Sequence, residues 1–155
     1  MQRLKSKVSG LRLRHGISLS ARAELRRERQ PEATRDIPLD CAIAEGLAWL
    51  GRAQDYSKSA DGGAARHYCL VTGWGESYPE TTGYIIPTLI REAHLTADKT
   101  LLERARRMLD WLTSIQMSCG AFQGGTIGES PVLPVTFNTG QSLIGLTAGV
   151  AEFGP

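Results

Sequence analysis

The chain has 155 residues, of which 41% are hydrophobic and 22% charged, with a formal net charge of +2. This length and composition are typical of one globular domain and exclude a chain that is disordered throughout. No apolar run approaches the roughly 18 residues that cross a bilayer, so we expect a soluble protein without a transmembrane segment.

The N-terminal segment carries the positive charge. Residues 1–36 contain ten Lys and Arg against four Asp and Glu, whereas residues 37–155 contain eight against twelve. A basic segment of this kind is compatible with a nucleic-acid or membrane-surface arm, or with an Arg-rich targeting peptide. A solvated leader accounts for it as simply, and we predict that residues 1–37 form a disordered leader with no clear nucleic-acid role.

Three cysteines, Cys41, Cys69 and Cys119, are widely spaced and form no CxxC pair. An odd number without a motif argues against a disulfide framework and against a structural zinc knuckle. We therefore predict a cytoplasmic protein.

From residue 38 onward one pattern occurs twice. The segments LAWLGRAQDYSKSADGG and LDWLTSIQMSCGAFQGG both read L-x-W-L-x-x-x-Q, with Gly-Gly eight residues after the Gln. The matching residues are 62 positions apart, as in Trp49 and Trp111, Gln54 and Gln116, and Gly62 and Gly124. Each segment leads into an apolar run, so the sequence predicts two units of helix, Gly-rich loop and helix.

The helices of these units follow from apolar spacing. Residues 42–54 and 101–117 are predicted helices, the second amphipathic and capped either by Asp98 or by Thr100 with Glu103. After the first loop, Pro87 lacks the N–H that a helix beginning at Gly83 would need. We therefore expect the regular helix to begin or kink near residue 86.

Paired helices with these loops resemble the α/α-toroid superfamily, through IQMSCGAFQGG, SYPETTGYIIPTL and FNTGQ. The superfamily includes terpenoid cyclases, protein prenyltransferases, six-hairpin glycosidases, sugar epimerases and polysaccharide lyases. The resemblance implies an all-α fold over residues 38–155, with α/α-hairpin repeats forming part of an (α/α) toroid. Such toroids close with roughly six hairpins and this chain has about two, so we expect a fragment or a subunit that needs partners in an oligomer.

The same resemblance, closest to a bacterial branch associated with polysaccharide genes, implies a carbohydrate-active protein that performs glycan hydrolysis, elimination or epimerisation. A prenyltransferase-like or cyclase-like enzyme and a non-catalytic helical-repeat scaffold are the alternatives. Toroid enzymes carry acids and aromatic residues at the N-terminal ends of their inner helices, where Glu76 and Glu80 are the candidate general acid and base. Asp61 either joins them or stabilises its turn.

Candidate substrate contacts are aromatic residues, which stack on sugar rings, and amides, which bond hydroxyl groups. They are Trp74, Tyr78, Tyr84, Gln123, Asn138 and Gln141. Trp49 and Trp111 are assigned to packing between hairpins. No cofactor is predicted, and the alternative metal site would be zinc held by Asp61, His67 and Cys69.

Overall fold

The structure is a computed structural model that describes residues 16–17, 19–29 and 36–154, and these residues are mostly helical. Their elements are α1 (Leu19–Glu28), α2 (Leu39–Asp55), β1 (Tyr68–Cys69), β2 (Gly73–Trp74), α3 (Pro79–Thr96), α4 (Lys99–Ile115) and α5 (Thr136–Phe153). The prediction of an all-α fold is confirmed, since the two short strands form no layer of their own. Within the predicted leader of residues 1–37 the described part contains α1, whereas residues 1–15, 18 and 30–35 lie outside the described residues. No helix in the described part of the chain has the length and apolarity to cross a membrane.

Helices α2 to α5 form two successive helix–loop–helix units. Unit 1 consists of α2, the loop of residues 56–78 and α3, and unit 2 of α4, the loop of residues 116–135 and α5. Ala97, with a left-handed φ of 56°, ends α3. Asp98 caps α4, because its Oδ1 accepts a hydrogen bond from the Thr100 N–H at 2.9 Å. Of the two caps left open by the sequence, Asp98 is the one in use.

Helix α3 begins at Pro79, so the predicted start near Ile86 is wrong. Pro79 lies in the first turn, where its missing N–H leaves no bond unmade. Pro87 lies inside the helix, where a proline costs about 3 kcal/mol. Ile85, Ile86 and Leu89 are buried on both sides of it, and each such burial contributes roughly 1.5–3 kcal/mol. The helix continues through Pro87 because this burial outweighs the lost hydrogen bond.

The core lies between α3, α4 and α5. Its largest fully buried apolar side chains are Ile86, Leu89, Met108, Leu112 and Phe122. Helices α3 and α5 run parallel, since the Ser142 hydroxyl donates to the Pro79 carbonyl at one end and His94 contacts Glu152 at the other. Their N-termini and the loops that precede them therefore lie at the same end of the molecule.

Glycines permit the close approach of α3 and α5. A Cβ atom placed on Gly83 would lie 2.5 Å from the carbonyl oxygen of Gln141, and one placed on Gly145 would lie 2.5 Å from the carbonyl oxygen of Gly83. Both distances are far below van der Waals contact, and the opposing atoms belong to backbone. Any side chain at either position would push the two helices apart.

The two loops repeat one set of hydrogen bonds. The Ala64 N–H donates to Thr82 Oγ1 at 2.9 Å, and the Phe122 N–H donates to Thr139 Oγ1 at 3.0 Å. The carbonyl oxygens of Ala64 and Phe122 accept, in turn, from the N–H groups of the N-cap residues of α3 and α5. These bonds occupy equivalent places in the two units. They show that each residue of α3 corresponds to the residue of α5 that lies 57 positions later in the chain.

The Gly-Gly pairs do not match each other, which corrects the predicted 62-residue register in the loops. Gln54 Nε2 donates to the carbonyl oxygen of Gly62 at 2.8 Å, whereas Gln116 Nε2 donates to that of Gly120 at 2.9 Å. Gly62 and Gly120 share a positive φ, of 98° and 83°. The offset of 62 residues thus holds for α2 and α4, while Gly120 rather than Gly124 is the partner of Gly62.

Candidate functional site

The loop of unit 1 contains a β-hairpin that projects aromatic side chains. Strands β1 and β2 are antiparallel, with Tyr68 opposite Trp74, and Gly73 takes the positive φ of 80° that the turn requires. Behind β2, a Cβ atom on Gly75 would lie 2.9 Å from the ring of His67, which would have to move to make room for it. The hairpin lies against α2, from which Trp49 reaches it.

Trp49, Tyr68 and Trp74 form a cluster that we call the aromatic platform. The centroid of the Trp74 ring lies 4.7 Å from that of Trp49 and 5.0 Å from that of Tyr68, and the Trp49 and Tyr68 centroids are 5.9 Å apart. All three pairs are tilted or edge-on, the arrangement that aromatic quadrupoles favour. The Arg52 guanidinium lies 5.7 Å from the Trp49 centroid. The platform therefore combines apolar rings with a cation at its edge.

Two more of the predicted site residues, Glu76 and Tyr78, closely follow the platform residue Trp74 in the chain. The Arg66 guanidinium lies 4.7 Å from the Tyr78 ring centroid, and the Arg66 N–H donates to the carbonyl oxygen of Glu76 at 2.9 Å. The side chains of Arg66 and Glu76 are exposed. The structure thus places predicted residues Trp74 and Glu76 on the hairpin and Tyr78 directly after it, at the N-cap of α3.

Sequence reasoning missed Tyr68 and Arg66 and assigned Trp49 to packing alone. A signal was present for the hairpin, because Thr72-Gly73 is a turn dipeptide with an aromatic residue on either side, in HYCLVTGW. The contact of this hairpin with Trp49 had no such signal, since it depends on where α2 lies.

Asp61 is exposed and bonds to a buried pair of serines. Its Oδ1 accepts from the Ser77 hydroxyl at 2.6 Å and from the Gly63 N–H at 3.1 Å, and Ser77 also shares a hydrogen bond of 2.7 Å with Ser57. These bonds hold the two ends of the loop together. Of the two predicted roles for Asp61, the geometry favours the stabilisation of the turn.

The remaining predicted residues lie away from the platform. Glu80 is in the first turn of α3. Tyr84 lies further along the same helix and is half-exposed, and Gln141 occupies the equivalent position on α5. Gln123 is buried and bonded within its own loop, donating to the carbonyl oxygens of Thr126 and Glu129 and accepting from the Gly128 N–H. Asn138 is buried on α5, and within the described chain its Nδ2 has no hydrogen-bond partner.

The alternative metal set is not assembled. Among the described residues, no three His, Cys, Asp or Glu side chains lie close enough to hold a metal ion, so Asp61, His67 and Cys69 form no such group. Cys69 has a different feature. A hydrogen bond from the Thr72 side chain, with backbone bonds from Thr72 and Val71, lowers the pKa of its thiol to about 7.

A concave region of about 450 Å³ lies between α2 and the start of α4. Arg104 reaches across it and donates to both carboxylate oxygens of Asp55, at 2.8 and 2.7 Å. These bonds hold the pKa of Asp55 below its usual range, and they raise the pKa of Arg104. Because Asp55 of unit 1 and Arg104 of unit 2 bond to each other, this cleft is explained by the contact between the two units.

Comparison of the chain with protein-family models, with curated proteins and with solved structures finds no match.

Proposed function

We propose that the protein binds carbohydrate through the aromatic platform and acts in polysaccharide metabolism. The observation that carries the proposal is the exposure of the platform: Trp49 remains 46% exposed and Tyr68 44% exposed, although the rings pack against one another. Clustered exposed aromatic surface marks an interaction site. The resemblance to sugar-processing toroids also supports the proposal. The proposal also includes membership of an (α/α) toroid and a cytoplasmic location. The location agrees with the three free cysteines.

The chemistry of a sugar suits this surface. A pyranose has apolar C–H faces and a rim of hydroxyl groups. Aromatic rings remove the C–H face from water, while the hydroxyl groups require donors and acceptors nearby. Arg52 at the platform edge is such a donor, and the exposed Arg66 and Glu76 of the hairpin add a donor and an acceptor.

The reaction is the second part of the proposal. Glycan hydrolysis uses two carboxyl groups, and elimination or epimerisation uses a group that moves a proton. Glu76 is exposed two residues from Trp74, and Glu80 is half-buried in the first turn of α3. If Glu76 moves a proton, Glu76→Gln should lose turnover of an oligosaccharide while it keeps the affinity measured by calorimetry.

Binding is tested first, by isothermal titration of the full chain with neutral and acidic oligosaccharides of bacterial polysaccharides. Trp74→Ala should raise the Kd for the bound sugar at least tenfold, which corresponds to about 1.4 kcal/mol. Tyr56→Ala is the matched control, because Tyr56 is a 63% exposed aromatic residue outside the platform. Circular dichroism should show equal helicity in both variants.

Two results would contradict the binding proposal. One is the absence of binding to every sugar in the panel by the unsubstituted protein. The other is an equal Kd for Trp74→Ala and the unsubstituted protein, since the sugar would then lie elsewhere.

A helical-repeat scaffold is a second candidate function, favoured by one observation. Apolar side chains on α2 and α5 remain exposed, among them Leu39 and Leu143. A prenyltransferase-like or cyclase-like activity has no such support among the described residues.

A further inference from the structure

The outward side of α5 is apolar and uncovered. Its exposed residues lie three and four positions apart and include no charged side chain: Phe137, Gly140, Leu143, Ile144, Thr147, Val150 and Ala151. The buried side of α5 carries small or polar residues instead, namely Asn138, Ser142, Gly145 and Gly149. This distribution is the reverse of that in a surface helix, where the apolar stripe faces the core.

The equivalent positions of α3 show how such a surface is covered. With the offset of 57 residues, Gly83, Ile86 and Ala93 of α3 correspond to Gly140, Leu143 and Val150 of α5. The three residues of α3 are buried in the contacts with α4 and α5. Their counterparts on α5 are exposed, and a Cβ atom on Gly140 would meet nothing within 4 Å. We call Gly140, Leu143 and Val150 the tail face.

Helix α2 shows the complementary exposure. With the offset of 62 residues, Leu39, Ile43 and Gly46 correspond to Leu101, Ala105 and Met108 of α4. The residues of α4 are buried in the core that α4 shares with α3. Their counterparts on α2 are exposed, Leu39 to 72%. We call Leu39, Ile43 and Gly46 the head face.

We propose that copies of this chain associate head to tail, with α5 of one copy on α2 of the next. The contact repeats one that the chain already makes, because the tail face is the counterpart of an α3 surface that packs on α4 and α5, and the head face is the counterpart of α4 residues buried in the core with α3. A repeat unit cannot bury its apolar face alone, and terminal units that remain single carry polar outer faces. Neither outer face of this chain is polar at the positions that match the core.

The contact stops short of the aromatic platform. In unit 2, Trp111 lies against Gly63 of unit 1, where a Cβ atom would approach its ring to 2.7 Å. The equivalent of Gly63 is Ala121, whose Cβ atom blocks the same approach by Trp49 of the next copy. Trp49 instead packs on Tyr68 and Trp74 of its own chain. Head-to-tail association therefore leaves the platform open and does not depend on the proposed function.

Association of this type is heterologous, so each copy uses its head and its tail for different partners. A dimer formed in this way retains one free head and one free tail, and it grows into a closed ring or an open filament. The distribution of masses should therefore extend beyond the dimer as the concentration rises.

The first experiment is sedimentation velocity of the full chain over a range of concentrations. The unsubstituted protein should show an average mass that rises with concentration, while Leu143→Glu and Ile43→Glu should each remain monomeric, because a charge would be buried in the contact. Thr113→Glu is the matched control, since Thr113 is exposed on α4 outside both faces, and it should associate like the unsubstituted protein. Equal circular dichroism and melting temperatures should show that all three variants fold.

The second experiment mixes the two monomeric variants. Leu143→Glu keeps its head face and Ile43→Glu keeps its tail face, so a mixture should form a one-to-one dimer that grows no further. Neither variant should dimerise alone at the same total concentration.

Three results would overturn the proposal. A protein that remains monomeric at every concentration would mean that something other than a second copy covers these faces. A dimer that Leu143→Glu abolishes and Ile43→Glu leaves intact would mean a symmetric contact of α5 with α5. Monomers in the mixture of the two folded variants would exclude a head-to-tail contact.

Discussion

Trp49 and Trp111 occupy the same position in the two units, yet Trp111 is 5% exposed and Trp49 46% exposed. Trp111 is covered by the loop of unit 1, where its ring lies against Gly63. Trp49 has no preceding unit among the described residues, and the hairpin of its own loop covers it in part. The same residue at the same helical position is therefore a core residue in one unit and a surface residue in the other, according to what lies before it in the array.

The largest expected effect is on stability, at these two tryptophans. Trp111→Ala should lower the free energy of unfolding by about 4 kcal/mol, because it leaves a cavity under the loop of unit 1, whereas Trp49→Ala should cost about 1 kcal/mol. Urea unfolding followed by circular dichroism measures both values. Similar losses in the two variants would break the comparison, since they would mean that Trp49 is buried as deeply as Trp111.

The next effect is expected at the equivalent glycines of α3 and α5. Gly83→Ala should lower the free energy of unfolding by about 3 kcal/mol, because its Cβ atom would meet the backbone of α5. Gly140→Ala should raise it by about 0.5–1 kcal/mol in dilute, monomeric protein, since alanine favours the helix and the site is open. Urea unfolding again provides the measurement. A stabilising Gly83→Ala would show that α3 and α5 separate at little cost.

A smaller effect is expected at the two threonines that hold the loops. Thr82→Val removes the acceptor of the Ala64 N–H, and Ala64 is fully buried, so the loss should be about 2 kcal/mol. Thr139→Val should cost about 1 kcal/mol, because Thr139 is only half-buried. Hydrogen exchange of the Ala64 and Phe122 amides should report the opening of each loop separately. Unchanged protection at Ala64 in Thr82→Val would contradict the role of this bond.

The smallest effect is a pH dependence at Asp55 of unit 1, whose equivalent in unit 2 is the uncharged Met117. Arg104 holds the pKa of Asp55 below the unfolded value, near 4, so the ionised carboxylate stabilises the fold above that pH. This contribution is lost as the pH falls through the folded pKa. Asp55 is well exposed, which limits the effect to less than about 1 kcal/mol.

The measurement is the difference in free energy of unfolding between the unsubstituted protein and Asp55→Asn. It should be positive at pH 7, which lies above both pKa values, and it should shrink as the pH is lowered below about 4. A difference that stays constant across this range would show that Arg104 does not stabilise the ionised form.

Much of the fold could be predicted from local sequence. The spacing of Leu101, Ala105, Met108 and Leu112 predicts the buried face of α4, and the structure confirms it. Asp98 as a cap was one of two local possibilities. The start of α3 could not be predicted in this way, because burial on both sides of Pro87 outweighs a local rule about proline.

Less of the candidate site could be predicted. The density of acidic and aromatic residues around Trp74, Glu76 and Tyr78 marks this loop, and the structure places the first two on its hairpin. Asn138 and Gln123 are predicted substrate contacts because they are amides, yet both are buried in unit 2. No local pattern in the sequence shows which residues of the two loops are equivalent. The equivalence depends on which glycine carbonyl oxygen each glutamine side chain bonds.

The sequence by itself determined the all-α class, the two helix–loop–helix units and the amphipathic faces, because these follow from spacing along the chain and from the conformations open to each residue. Only the tertiary structure decided the match of Gly62 with Gly120, the meeting of Trp49 with Tyr68 and Trp74, and the exposure of the outer faces of α2 and α5. Those features depend on contacts between residues distant in sequence. A repeated motif specifies the same helix twice, but burial depends on the neighbour that each copy finds.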